Sequence, residues 1–193
     1  YFLMREISFG QDGSYSDEAM ERRMNTDLAN DFGNLAQRVL SFVFKHCNEA
    51  LPVVGELTAA DMAMLDMAGP KLLDAVRTHI DRQELHRALE TIWTVVRQAN
   101  VYVDEQAPWG LRKTDTVRME TVLGILCEVI RRLALLAMPY MPDSCNRMLD
   151  QLAVPAAERN YTTLDDQIHI TSGAKIPQPT GVFPRYQSAQ AAE

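Results

Sequence analysis

An all-α bundle of four to five helices with an irregular C-terminal tail is the fold the sequence predicts. Three observations carry that prediction. Apolar residues recur at three- and four-residue steps through several long segments, which puts them on one face of a helix. Helix-start residues precede these segments, and Pro or Gly follows them. From Ala153 onward the periodicity fails, and the best short strand there is only Ile168-His169-Ile170. The chain has 193 residues, 47% of them apolar, so it can bury roughly 70% of its unfolded surface and needs no disulfide staple.

Residues 1–8 are apolar enough to end a helix or strand of an upstream element, and residues 9–14 form a loop by their two glycines and Asp12. Ser16 before Asp17-Glu18 is an N-cap followed by acidic residues in the first turn. The helix it opens spans 17–47, with a break near Asn25-Thr26 left open. Leu28, Phe32, Leu35, Ala36, Val39 and Val43 form its apolar stripe. Thr58 and Asp61 have capping-box spacing and open a helix over 59–80 that Gly69-Pro70 must interrupt. Asp81 and Glu84 repeat that spacing ahead of the clearest helix, whose apolar face is Leu85, Leu89, Ile92, Trp93, Val96 and Val103. It stops at Gln106-Ala107-Pro108 because the residue before Pro avoids helical backbone. After a loop over 109–113, Thr114 or Asp115 caps a helix to Met138 with Val122, Leu126, Val129, Leu133 and Leu136 as its seam. Pro139 and Pro142 end it, and 143–152 is a short further helix. Periodicity fails from Ala153 onward, and Gln187 to Glu193 read as a frayed terminus.

Several function classes fall away on composition. Net charge is −7 and pI about 5.1, so a broadly basic surface for duplex DNA is excluded. A local site for unpaired RNA is not, since such sites rest on stacking and a few hydrogen bonds. The scattered Cys47, Cys127 and Cys145 read as buried, reduced thiols of a cytoplasmic protein. The longest apolar run, Leu133 to Met138, is far short of a bilayer span, and no secretory leader opens the chain. No glycine-rich phosphate loop, no G-x-S-x-G and no metal-ligand spacing of His46, His79, His86 and His169 occurs. The first residues lack an initiator Met and look cut from a larger protein.

Two features exceed what a plain helix bundle needs. Asn30, Asn34 and Arg38 lie four residues apart, in a row opposite the apolar stripe. Amide groups and a guanidinium fork match the edges of bases; an ordinary solvated face is the bland alternative. The second feature is the segment Val103-Asp104-Glu105-Gln106-Ala107-Pro108-Trp109, where a helix ends in acidic residues against its own dipole. A Trp held by Pro can stack on an unpaired base, or it can fold back as a lid over the core. Trp93, on the apolar stripe, reads as core.

Together the segments 30–38 (Asn-Asp-Phe-Gly-Asn-Leu-Ala-Gln-Arg) and 102–109 (Tyr-Val-Asp-Glu-Gln-Ala-Pro-Trp) resemble the methionyl-tRNA synthetase family of class I aminoacyl-tRNA synthetases. The opening Tyr1-Phe2-Leu3-Met4-Arg5-Glu6 resembles the stretch after that family's KMSKS loop, and Gly181-Val182-Phe183-Pro184-Arg185-Tyr186 its closing tail. The bundles for Leu, Ile, Val and Cys are similar without all of these landmarks. The resemblance implies an anticodon-binding bundle over residues 16–152, a remnant of the stem-contact region over 1–15 and the irregular tail over 153–193. It implies tRNA(Met) and an upstream catalytic domain as partners. DNA and membrane are not among them, and the expected state is a monomer. The complete enzyme would join methionine to tRNA using ATP and Mg²⁺, with HIGH and KMSKS motifs outside this segment. No catalytic residue, cofactor or metal is expected here. Carried over by position, Asn34 and Arg38 match residues that contact anticodon bases, and Trp109 the residue that stacks on the wobble cytosine of CAU. Asn30 matches a polar neighbour and Asp104 an acidic position that sets discrimination, by rejecting wrong partners. The competing expectation is a helical protein-interaction module without RNA binding, suggested by the acidic charge and the Leu-rich segment 117–137.

Overall fold

The helix Thr116–Ala137 is surrounded on every side along most of its length. In the computed structural model, which describes residues 1–186, every residue from Thr121 to Ala137 is buried. The expected seam of Val122, Leu126, Val129, Leu133 and Leu136 is therefore only one of several core faces. Around it, in chain order, lie α1 (Phe2–Glu6), α2 (Asp17–Arg23), a π-helical segment (Met24–Gly33), α3 (Asn34–His46), α4 (Ala59–Met67), α5 (Pro70–Asp81), α6 (Leu85–Gln106) and α7 (Pro108–Leu111); the central helix is α8, and α9 (Pro142–Gln151) follows. The architecture is all-α, with more and shorter helices than the four to five expected. The Leu-rich face that suggested a protein-interaction module is interior. Gln187 to Glu193, read above as a frayed terminus, lie outside the described residues.

Charges inside α8 decide how the tail is held. Glu128, Arg131 and Arg132 are all buried. The Glu128 carboxylate accepts from Arg131 Nη2 at 2.7 Å and Arg132 Nε at 2.6 Å. The guanidinium groups also donate to Thr163 and to the carbonyls of Leu65 and Gln167. A buried ion cluster is tolerable only when its remaining donors and acceptors are satisfied in this way. Glu128 also accepts from the backbone N–H groups of His169 and Ile170. This is why the expected strand at Ile168-His169-Ile170 does not form: a carboxylate takes the N–H groups that a neighbouring strand would have needed. Among the described residues the only ladder contact is an isolated bridge between Ala50 and Lys175. The tail is irregular yet it packs, sinking Leu164, Ile170, Ile176 and Val182 into the core.

Most predicted starts and stops are found. Ser16 accepts from Ala19 N–H at 3.0 Å, Thr58 and Asp61 form a complete capping box, and Gly69-Pro70 divides α4 from α5. Asp115 caps α8 by accepting from Arg118 N–H. Asp81 does not cap α6: it is the last residue of α5, Gln83 turns the chain with φ 58°, and the N-cap Glu84 makes no side-chain cap bond. The connection is simply too short to hold both a helix exit and a capping box. Of the loop expected over 109–113, residues 109–111 instead continue from Pro108 as the single turn α7. The three cysteines are free and buried; burial pushes Cys47 up to about 11 and Cys145 up to about 12, so they stand as neutral thiols.

The expected break near Asn25-Thr26 is a ten-residue π-helical stretch rather than a gap. Side chains of α6 take its carbonyls. Trp93 Nε1 donates to Asp27 O at 3.0 Å, and Asn100 Nδ2 to Asp31 O at 3.1 Å. Carbonyls drawn outward by an inserted donor open the helix ladder, and Asn34 N–H then bonds back to Ala29 O, five residues earlier. Gly33 sits where a Cβ would lie 2.8 Å from Leu28 O, so the wide turn closes on a residue without a side chain.

Asp61 links three helices. Its carboxylate accepts from Thr58 N–H, from the Tyr102 hydroxyl and from both Nη atoms of Arg118, at 2.5 and 2.8 Å. Burial works to raise its pKa, but the bonds from Arg118, Tyr102 and Thr58 outweigh burial and hold it at about 2, against an ordinary 3.8. A depressed folded-state pKa means the stabilisation is complete above about pH 4 and is lost as pH falls towards 2, on the order of 2 kcal/mol. Asp61→Asn is expected to lower stability at neutral pH by roughly 3 kcal/mol, because Arg118 loses its charge partner. It should also flatten the fall between pH 4 and 2. Urea denaturation at stepped pH measures both, and parallel pH slopes for the two proteins would contradict the assignment.

Candidate nucleic-acid interface

The row of polar residues is straighter than an α-helix alone would make it. In an α-helix a four-residue step overshoots one turn by about 40°. In the wider π turn the same step falls short of a full turn. Asn30 lies in the π segment, whereas Asn34 and Arg38 lie in α3. The shortfall from Asn30 to Asn34 therefore offsets the overshoot from Asn34 to Arg38, and the three side chains stay on one outward line. Asn30 and Asn34 are exposed and Arg38 is half-buried, while Leu28, Phe32, Leu35 and Val39 are buried on the opposite face.

Arg38 meets the second predicted segment. Its Nη2 donates to Asp104 Oδ1 at 2.8 Å. Its guanidinium carbon stands 4.9 Å from the centre of the Trp109 ring, a cation–π contact. Trp109 is 41% exposed, so the indole is neither sealed in the bundle nor turned to its far side. Its position follows from the local backbone. α6 ends at Gln106, Ala107 takes a left-handed conformation with φ 43°, and buried Pro108 starts α7 with Trp109 next. The ion pair itself is exposed and adds little stability; it holds the guanidinium against the indole. Trp93 is fully buried as expected, edge-on to Phe32 at 5.9 Å and tilted against Tyr1 at 4.8 Å.

Of the five expected residues, Arg38, Asp104 and Trp109 meet directly. Asn34 lies one turn before Arg38, and Asn30 one further turn away. Asn30 and Asn34 line a groove of about 300 Å³ together with Gly33, Gln37, Phe183 and Arg185. The tail builds its outer wall. Asn25 exchanges two hydrogen bonds with the Tyr186 backbone, Arg185 Nη2 donates to Asn30 Oδ1 at 2.7 Å, and Phe183 packs on Phe32 at 6.3 Å. Gln37, Phe183 and Arg185 were not among the sequence candidates. Nothing in the periodicity of α3 separates Gln37 from solvent-facing residues. The apolar pair Val182-Phe183 next to an arginine was the only local hint for the tail. At the other end of α3, His46 Nε2 lies 3.3 Å from Arg112 Nη1. No group of three His, Cys, Asp or Glu side chains among the described residues could hold a metal ion.

Residues 51–193 match the family model described as the anticodon-binding domain of methionyl tRNA ligase. The chain belongs to that family. Residues 1–40 match the model of the class I tRNA synthetases (M). Methionine–tRNA ligase of Mycobacterium tuberculosis is 49% identical over 197 residues, covering 100% of this chain and 37% of that protein. The Brucella suis ligase is 49% identical over 189 residues, with 98% and 36% coverage. Among solved structures, the apo form of the M. tuberculosis methionyl-tRNA synthetase superposes with a TM-score of 0.92 at 49% identity, over 97% of this chain and 38% of that one. The same enzyme bound by methionyl-adenylate gives 0.91 at 48% identity, over 95% and 37%. The chain thus spans a little over one third of the length of the relatives it matches.

Gly33→Ala tests how the groove is closed. The added methyl would press on Leu28 O and, at 3.3 Å, on the Phe183 ring. We expect a loss of about 1–3 kcal/mol and faster hydrogen exchange at Val182 and Phe183, measured by exchange mass spectrometry. Unaltered exchange there would mean that Phe183 does not depend on this closure.

Proposed function

We propose that this chain is the anticodon-reading part of a methionine–tRNA ligase, and that it recognises the CAU anticodon of tRNA(Met) with Asn30, Asn34, Arg38, Asp104 and Trp109. The observation that carries the reading is the meeting of Arg38, Asp104 and Trp109 at one exposed corner. A base that leaves its stack gains about 1–3 kcal/mol on an indole. Asp104 supplies an acceptor for an exocyclic amine and Arg38 donors for ring nitrogen and carbonyl, the complement of a cytosine edge. Asn30 and Asn34 continue this hydrogen-bonding line towards the groove, where further unstacked bases find amide partners. A chain of net charge −7 suits such recognition, because unpaired bases are held by stacking and edge contacts more than by a basic surface. Arg38 already pairs with Asp104, so Asp104 acts by orienting the guanidinium as well as by repelling wrong partners.

In this reading residues 1–15 belong to the stem-contact region, 16–152 to the anticodon bundle and 153–193 to the C-terminal tail, in which Phe183 and Arg185 wall the site. The complete ligase joins methionine to tRNA with ATP and Mg²⁺ in the cytoplasm. In this reading ATP and Mg²⁺ are used by the catalytic domain of the complete ligase. The partners are tRNA(Met) and the catalytic domain, and the chain acts as a monomer. No observation favours a protein-interaction module instead, since the Leu-rich helix that suggested it is the core.

Binding to a CAU stem-loop RNA tests the reading. Trp109→Ala should weaken binding by roughly 1–3 kcal/mol and shift the melting temperature little, because the indole is half exposed. Arg38→Gln should reduce the preference for CAU over a loop with an altered first base. If both variants bind and discriminate as the parent does, the corner is not the reading site.

A further inference from the structure

The corner that carries Asp104 and Trp109 breaks local rules and needs an external hold. Acidic Asp104 and Glu105 sit in the last turn of α6, opposing the helix dipole. Ala107 is a non-glycine residue at φ 43°, a conformation that persists only where surrounding contacts over-determine it. Two arginines grip this corner. Arg38 reaches it from α3 through Asp104 and Trp109. Arg118 reaches it from α8: its Nη2 donates to Gln106 Oε1 at 2.6 Å, while the same guanidinium is locked on buried Asp61. Tyr102, one turn before Gln106, donates to Asp61 as well. The last turn of α6 is thus tied to α4 and α8 by one hydrogen-bonded chain running Tyr102, Asp61, Arg118 and Gln106. Trp109 lies three residues beyond its end, across a buried proline.

We propose that Arg118, oriented by Asp61, is a positioning residue for RNA recognition: through Gln106 it fixes the α6–α7 corner and hence the angle at which Trp109 faces the base. This deepens the proposed function and rests on it for the role of the corner, though the mechanical link itself can be read without RNA. Arg118 touches no base. With Arg118 loosened, Ala107 and Pro108 keep their bonds, yet the end of α6 frays under its own acidic residues and the indole samples several orientations.

The chain contains two tryptophans, and only Trp109 is exposed, so quenching by aqueous iodide reports on it alone. Three variants of the whole chain are compared: Gln106→Met, which removes only the last link, Arg118→Met, and Gln106→Met in a Trp109→Ala background. For Gln106→Met we expect native circular dichroism, about twofold stronger iodide quenching of Trp109, and three- to tenfold weaker binding of the CAU stem-loop. Binding to a loop with an altered first base should be unchanged. In the Trp109→Ala background the same substitution should have no further effect on binding. Arg118→Met should reproduce the quenching change; should it not fold, Gln106→Met carries the test. Unchanged quenching and discrimination in folded Gln106→Met overturns the proposal. So does a binding loss that persists without Trp109, since that marks a purely structural role. If the parent chain fails to discriminate CAU while quenching still rises, the anticodon reading falls and the mechanical link stands.

Discussion

Two side chains of α6 on the carbonyls of the π segment set the register on which the site depends. Trp93 on Asp27 O and Asn100 on Asp31 O lay α6 alongside the rod formed by the π segment and α3, with both running in the same direction. Eleven residues beyond the first of these contacts on each rod stand Arg38 and Asp104, and they pair. His46 and Arg112 continue the same offset of 66 residues. Binding groups from distant parts of the sequence are thus brought together by an ordinary packing register. That register is enforced by a fully buried indole whose polar N–H has to find an acceptor. Loss of that one bond would leave both a buried donor and an opened ladder unsatisfied, so it constrains the backbone more firmly than an apolar contact of equal area.

The second constraint comes from the buried charges of α8. Glu128 is satisfied in part by backbone N–H groups of the tail, so the tail is a structural partner of the central helix. From that clamp the chain runs back over the bundle. Gly173 and Ala174 bond Leu51, Thr180 N–H donates to Gln151, and Arg147 donates to Val182 O. It arrives at the π segment with Phe183 and Arg185 in place. A charge cluster in the interior thereby fixes a wall of the groove at the surface, and the two cannot be altered independently.

Local signals were legible in the sequence wherever they were short in range. The apolar stripes of α3 and α6, the Ser16 cap, the Thr58–Asp61 box and the Gly69-Pro70 division are all visible because each depends on residues no more than four positions apart. The outward row and the rule-breaking end of α6 were legible for the same reason, and the likeness of the two segments to one family is what suggests a shared role for them. What the sequence concealed depends on distant partners. The π geometry needs donors from α6, the absence of a strand at 168–170 needs Glu128, and the groove wall needs the tail. No period within α3 marks Gln37, and nothing near Gln106 announces Arg118 twelve residues later.

These hidden contacts bear on how tightly an unpaired base can be held. A guanidinium free in water must lose rotamer freedom to meet a base, whereas Arg38 is already fixed between a carboxylate and an indole. Ordering that precedes binding reduces what association has to overcome. Such ordering has its own requirement, because a helix end rich in carboxylates and a left-handed alanine are locally unfavourable. The bundle offsets both with arginines drawn from two different helices, one half-buried at the surface, the other locked on a buried aspartate. The division of labour follows from burial alone. The arginine at the surface can exchange partners at little energetic penalty, while one bound to a fully buried carboxylate cannot, so the first suits the proposed base contact and the second the proposed positioning role.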